Sequence, residues 1–336
     1  MDGFGQNTGV IFDWALFRRD VRRDVRNCAL FLFFFYAVNV TASIIYEVAY
    51  AASNPAASEG LVQMAASGAD PQALGDAMGG GEIGMMAIIG IVAGGCVFLI
   101  PRGKRFFTDV ALPAAEPMTP RLFIGLVLVM EAIQLVYGLI VTLIDYLLPE
   151  GLSLGDSYDA AMEGLVTPLG MLYVILVGPV FEELIFRGAI MGSLRRYGDN
   201  FAILFSSLLF GFYHALMLQI PFAFVLGLLL GYVAARWSLR AAIALHMINN
   251  GFSALISDTG NEALAEAGGL FMIFCVAATV VFLIRFREQI RERARAGAAY
   301  YARTYANGFS SIAFWIFVVV MTAFGLAQMS GVFEMS

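Results

Sequence analysis

The chain has 336 residues, of which 60% are hydrophobic and 14% charged, with a formal net charge of -6. So apolar a composition excludes a disordered protein and argues against a soluble globular enzyme. It points to an all-α protein, a polytopic bundle of transmembrane helices whose apolar surface faces lipid. Cys28, Cys96 and Cys275 lie in apolar stretches without CxxC spacing and read as small buried hydrophobes. Residues 1–27 lack a short apolar core followed by a small-residue cleavage site, so no removable signal peptide is indicated.

Crossing the hydrocarbon takes about 20 apolar residues as a helix, and nine stretches qualify as candidates. In chain order they are 28–50, 83–100, 121–148, 165–194, 200–218, 221–235, 240–257, 269–284 and 309–329. The fourth is overlong and contains Gly178-Pro179, which predicts a kink or tilt there. The fifth and sixth are joined by only Gln219 and Ile220 and should form a tight helical hairpin. The organisation expected is a cytoplasmic amphipathic segment over 1–27, then two helices with an outer loop at 51–82 over 28–120. A catalytic-type bundle over 121–257 follows, and two last helices with an arginine-rich linker occupy 258–336.

Loop charge orients this arrangement, because Lys and Arg accumulate in short cytoplasmic loops. An inside N-terminus puts nineteen of the twenty basic residues inside, and the remaining one, Arg187, lies within a helix. The outer segments are acidic instead, and nine spans then leave the C-terminus outside. Val10 to Phe17, followed by arginines, suits a helix lying on an anionic inner leaflet, and 285–303 offers a second such surface. Loop 51–82, rich in Ala, Gly and Ser, reads as a mobile connection. Gly90/Gly94 and Gly227/Gly231 have GxxxG spacing and read as close helix contacts.

Ionisable residues inside apolar helices cost at least about 2.5–3.5 kcal/mol on insertion scales and are therefore the informative exceptions. The fourth stretch carries Glu182, Glu183 and Arg187. Glu183 and Arg187 are four apart and share a face, so a neutralising ion pair is the economical arrangement. Glu182 points about 100° away and needs another partner, which suits a general base. The two histidines of the chain, His214 in Phe210-Gly-Phe-Tyr-His214 and His246 in His246-Met-Ile-Asn-Asn250, both lie in membrane stretches. At 1.5 Å per residue, Glu182 and His214 lie about 18 and 21 Å from the inner helix ends, whereas His246 is about 9 Å below Arg240. Elsewhere Glu47, Glu131 and Asp145 fall in apolar spans, and Glu131 is close to mid-span.

Taken together, Glu182-Glu183-xxx-Arg187, Phe210-xxx-His214 and His246-xxx-Asn250 resemble the three motifs of the CPBP family of intramembrane proteases. That family includes the CAAX prenyl endopeptidases and many bacterial Abi-type membrane proteins. Each pattern alone is weak, but the ordered set is specific. The motifs run from Phe181 to Asn250. The resemblance implies a water-activating Glu182 and a His214 that holds and polarises the same water. His246 and Asn250 would donate hydrogen bonds to the oxyanion, while Glu183, Arg187 and Phe210 brace the site. These roles agree with what peptide hydrolysis needs: a base, an acid for the leaving amine, and donors for developing charge. A cavity open to the inner side is expected to supply the water.

No cofactor is expected, the alternative being zinc held by Glu182, His214 and His246 with water in the fourth position. Asn250 is the better oxyanion donor, and there is no HExxH. The expected partners are the lipid bilayer and a membrane-associated peptide or protein, with no nucleic acid. Nothing identifies a prenyl groove, and the preference for Arg over Lys, 19 to 1, points to a high-GC bacterial genome and an inner-membrane location. Two other classes are open: an inactive scaffold or immunity protein of the same fold, and a proton-coupled transporter. The transporter is disfavoured because no internal repeat is visible and the polar groups gather in one region.

Overall fold

The computed structural model describes residues 13–55, 59–60, 63, 66–67, 80–106, 117–148, 153–163, 165–257 and 262–333. Among these the fold is helical, with no strand. The main helices are α1 (Trp14–Ser53), α2 (Gly80–Leu99), α3 (Pro120–Leu147), α4 (Leu154–Glu163), α5 (Pro168–Tyr197), α6 (Asp199–Tyr213), α7 (Gln219–Arg236), α8 (Leu239–Ser257), α9 (Glu262–Phe309) and α10 (Ile312–Phe333). Each of the nine apolar stretches expected from the sequence contains a helix, although not every stretch is helical to its ends. Five are long and apolar enough to cross a membrane: Trp14–Ser53, Pro120–Leu147, Pro168–Tyr197, Gln219–Arg236 and Ala263–Arg285. Ile83–Leu99, Asp199–Tyr213 and Ile312–Gln328 are shorter apolar helices.

Local chemistry explains where the helices start. Asp13 caps α1 by accepting from the Ala15 and Leu16 amides at 2.8 and 3.1 Å. Thr119-Pro120 and Thr167-Pro168 repeat one device, a threonine oxygen accepting from the third following amide with proline at the first helical position. Asp145 receives the Leu154 and Gly155 amides at 2.8 and 3.2 Å, so an acidic residue of α3 caps α4.

The expected boundaries need several corrections. The fifth helix ends at Tyr213, not 218: His214 caps it and Ala215 has φ of 52°, a left-handed conformation that no helix continues through. The arginine-rich linker at 285–303 is no separate segment, because α9 runs unbroken from Glu262 to Phe309. No break separates residues 14–27 from the first span either; Trp14 opens one continuous helix whose Val21 and Val25 are fully buried. Residues 10–12 of the amphipathic segment, and 56–58, 61–62, 64–65 and 68–79 of the outer loop, lie outside the described residues. In α5 the expected kink at Gly178-Pro179 is preceded by a π-helical stretch, Tyr173–Val177, and a second one follows at Leu184–Met191. Wider turns of this kind are frequent at functional sites.

The core that fixes these helices is aromatic. Phe35, Phe186, Phe201, Phe205, Phe210, Phe314 and Phe317 are all buried and join α1, α5, α6 and α10. The GxxxG glycines lie where helices meet. A Cβ on Gly94 would come within 2.6 Å of the Phe35 ring, and one on Gly231 within 3.1 Å of Ile203. A Cβ on Gly227 would meet Ser207, Arg187 and Phe210 at 3.1–3.2 Å.

Candidate active site

α5 presents two adjacent carboxylates to different surroundings. Glu183 is fully buried and meets Arg187 Nη1, one turn on, at 3.0 Å. The guanidinium lies over the Phe210 ring, 4.1 Å from its centroid, and Nη2 donates to the Gly227 carbonyl at 3.3 Å. Glycine at 227 is what lets the α7 backbone come this near. Glu183 Oε1 also receives His246 Nδ1 of α8 at 3.0 Å. Glu183 is thus the hub that joins α5 to α8 while Arg187 joins α5 to α6 and α7.

Glu182 turns away from this hub. It lines a cavity of about 360 Å³ together with His214, His246, Asn250, Tyr173 and Tyr213. Its Oε2 stands 3.8 Å from His246 Nε2, beyond hydrogen-bond range but well placed for charge interaction. His214 Nδ1 meets the Phe210 carbonyl at 2.8 Å. A carbonyl only accepts, so Nδ1 carries the proton and Nε2 offers a lone pair. His246 Nδ1 likewise donates to Glu183. The Phe210 ring packs edge-on against both imidazoles, with centroids 4.7 Å from His214 and 5.8 Å from His246.

Asn250 Nδ2 donates to the Val174 carbonyl at 2.8 Å, within the first π-helical stretch. Its second N–H is free to serve the cavity that Asn250 lines. Asn249 Nδ2 donates in turn to Asn250 Oδ1 at 3.1 Å. The structure therefore brings Glu182, His214, His246 and Asn250 to one cavity, and sets Glu183, Arg187 and Phe210 behind them.

Several residues at the site were not singled out by the sequence. Tyr36, Asn39, Tyr173, Tyr213, Gln219 and Gln328 add polar groups to the cavity wall. Tyr213 and Asn249 lie inside the second and third motifs, which was the available signal; the others carry none. Gln328 of α10 also donates to the Ala215 carbonyl at 3.0 Å, so the last helix holds the strained turn after His214. Met162, Leu165, Leu216, Gln219 and Gln328 place the cavity toward the acidic-loop end of the bundle, opposite the arginine-rich ends of α5 and α7.

Among the described residues no three His, Cys, Asp or Glu side chains converge closely enough to hold a metal ion. No step below passes through a metal.

Comparison with known proteins points the same way as the motifs. Residues 164–252 match the family model described as type II CAAX prenyl endopeptidase Rce1-like. The chain is also 28% identical over 197 residues to the membrane-embedded CAAX protease MroQ of Staphylococcus aureus (strain USA300), an alignment covering 54% of this chain and 76% of the relative. No solved structure matches at a significant level. With its apolar helices, the chain is an integral membrane protein. Over the segment that carries all three motifs, it is similar to the CAAX-type membrane proteases.

Proposed function

We propose that the protein is an intramembrane endopeptidase that hydrolyses a peptide bond of a membrane-associated peptide or protein by a glutamate-activated water. The observation that carries this reading is the convergence of Glu182, His214, His246 and Asn250 on one polar-walled cavity. His214 Nε2 accepts a hydrogen bond from the water and orients it. Glu182 takes the water proton as the oxygen attacks the scissile carbonyl carbon. Asn250 Nδ2 donates to the oxyanion that forms. His246 can donate from Nε2 only as an imidazolium, since Nδ1 already serves Glu183. Glu182 then passes its proton to the leaving nitrogen, the C–N bond breaks, and a carboxylate and an amine result.

The organisation expected from loop charge remains part of this reading: nine spans, N-terminus inside, in a bacterial inner membrane. The cavity then faces the outer side, which supports a substrate presented there. The MroQ relative is a CAAX protease by name, but nothing in this chain's cavity identifies a prenyl site.

The test compares membrane and secreted peptides from cells carrying wild type and Glu182→Gln at matched expression. A peptide terminus that disappears only in the variant is the expected result and names the substrate. An unchanged set of termini with the wild-type phenotype retained would replace proteolysis with a scaffold or immunity role. Stoichiometric zinc in purified protein, lost in both His214→Ala and His246→Ala, would overturn the metal-free mechanism.

A further inference from the structure

Glu131 of α3 is the buried acid the mechanism does not use. It is fully buried, and neither carboxyl oxygen meets a hydrogen-bond donor. Two more acceptors are orphaned on the facing surfaces of α3 and α8: Gln134 Oε1 and Asn249 Oδ1. An unsatisfied buried acceptor costs about 1–3 kcal/mol, and a charged carboxylate without a partner costs more. A single proton on Glu131 turns one of these acceptors into a donor and removes the charge.

Helix spacing from the Gln134–Ser253 contact puts Glu131 and Asn249 at one level between α3 and α8. Gln134 Nε2 donates to Ser253 Oγ at 2.7 Å, which fixes α3 to α8. In the expected topology both helices run in the same direction, so one turn back leads from Gln134 to Glu131 and from Ser253 to Asn249. On its other flank α3 meets α9, where Thr279 Oγ1 donates to the Leu128 carbonyl at 3.5 Å and Cys275 lies within electrostatic reach of Glu131. Glu131 thus occupies the seam of three helices, behind the site.

We infer that Glu131, as a neutral acid, donates a hydrogen bond to Asn249 Oδ1 and through Asn249 positions the Asn250 amide. The direction of this relay follows from the Val174 carbonyl, which can only accept and so fixes Asn250 Nδ2 toward it. Asn250 Oδ1 must then receive Asn249 Nδ2, which leaves Asn249 Oδ1 on the side away from Asn250. Neither Glu131 nor Asn249 lines the cavity, so both are positioning residues. The catalytic consequence rests on the proteolytic reading; the hydrogen bond does not.

Infrared spectra of the purified full chain in lipid vesicles test the hydrogen bond directly. Wild type should show a protonated-carboxyl C=O stretch that vanishes in Glu131→Gln, rises in frequency in Asn249→Ala and stays in place in Glu182→Gln. Asn249→Leu substitutes where the alanine variant does not accumulate. Absence of the band from wild type overturns the inference, as does a band that moves in Gln134→Leu and not in the Asn249 variants. On the peptide whose terminus depends on Glu182, Glu131→Gln should keep activity within about twofold because it retains a donor. Glu131→Leu should lower kcat about tenfold with KM unchanged, a fraction of what losing an oxyanion donor outright costs. Equal activity of the two variants overturns the positioning role. If no terminus depends on Glu182, proteolysis fails while the infrared result still decides the hydrogen bond.

Discussion

Replacing Arg187 by methionine separates the two kinds of contribution this residue makes. The side chain is buried, its Nη1 lies 3.0 Å from an equally buried Glu183, and its guanidinium covers the Phe210 ring. Methionine keeps the apolar stem, so the packing loss is small. What it removes is the countercharge, and breaking a buried pair by deleting one partner costs about 3–5 kcal/mol because the other charge is stranded. The double variant Glu183→Gln/Arg187→Met strands no charge, and the glutamine oxygen still accepts from His246 Nδ1. It should lose about 2 kcal/mol or less, the scale of a desolvated cation–π contact. The single variant is therefore expected to be less stable than the double by about 1–3 kcal/mol, although it carries fewer substitutions. Unfolding of the purified proteins by detergent titration in lipid micelles measures this order directly. A single variant at least as stable as the double would refute the claim that charge compensation at Glu183 holds this part of the bundle.

Gly227→Ala places a Cβ 3.1–3.2 Å from Ser207, Arg187 and Phe210; overpacking of this kind costs about 1–3 kcal/mol, and cleavage should fall by about tenfold or more as Arg187 loses the Gly227 carbonyl. Gly231→Ala, which meets only the side chain of Ile203, should show the smaller loss in a parallel assay, and reversal of that order would contradict the packing described. Ala215→Gly removes the left-handed penalty of about 1–2 kcal/mol and should raise the unfolding midpoint; a lowered midpoint would mean the turn after His214 is held for another reason. A C-terminal tag should be accessible from the outer side in a protease-protection assay, and a cytoplasmic tag would refute the orientation drawn from loop charge.

Much of the site was legible because charge inside an apolar helix is conspicuous. Glu182, Glu183, Arg187, His214 and His246 stand out against their surroundings, and four-residue spacing announced the Glu183–Arg187 pair before any coordinates. That Glu183 would also hold His246 was not legible, since a contact between residues 63 apart in sequence depends on how α5 and α8 cross. The cavity's lining was not legible for a similar reason. Depth along single helices places Glu182 near the middle, but the side from which it is reached depends on where Met162, Gln219 and Gln328 stop filling space. Helix α4 was read as part of an acidic outer loop; its cap comes from Asp145 on another helix, so the local sequence gave weak notice. The end of α6 was overrun because Leu216 and Met217 are as apolar as the helix before them, and hydropathy does not register a left-handed backbone at Ala215.

The π-helical stretch at Tyr173–Val177 gives chain length a role that side chains do not have. A π turn closes over one more residue than an α turn, so everything after it is rotated relative to an uninterrupted helix. Glu182 and Glu183, one facing the cavity and the other the Arg187 hub, lie downstream of that rotation. Removing one residue from the stretch would leave hydropathy and every motif residue intact, yet turn each later side chain by about 100°. The aim of the Glu182 carboxylate is thus written in a residue count, and substitution scanning, which preserves the count, would leave that information untouched.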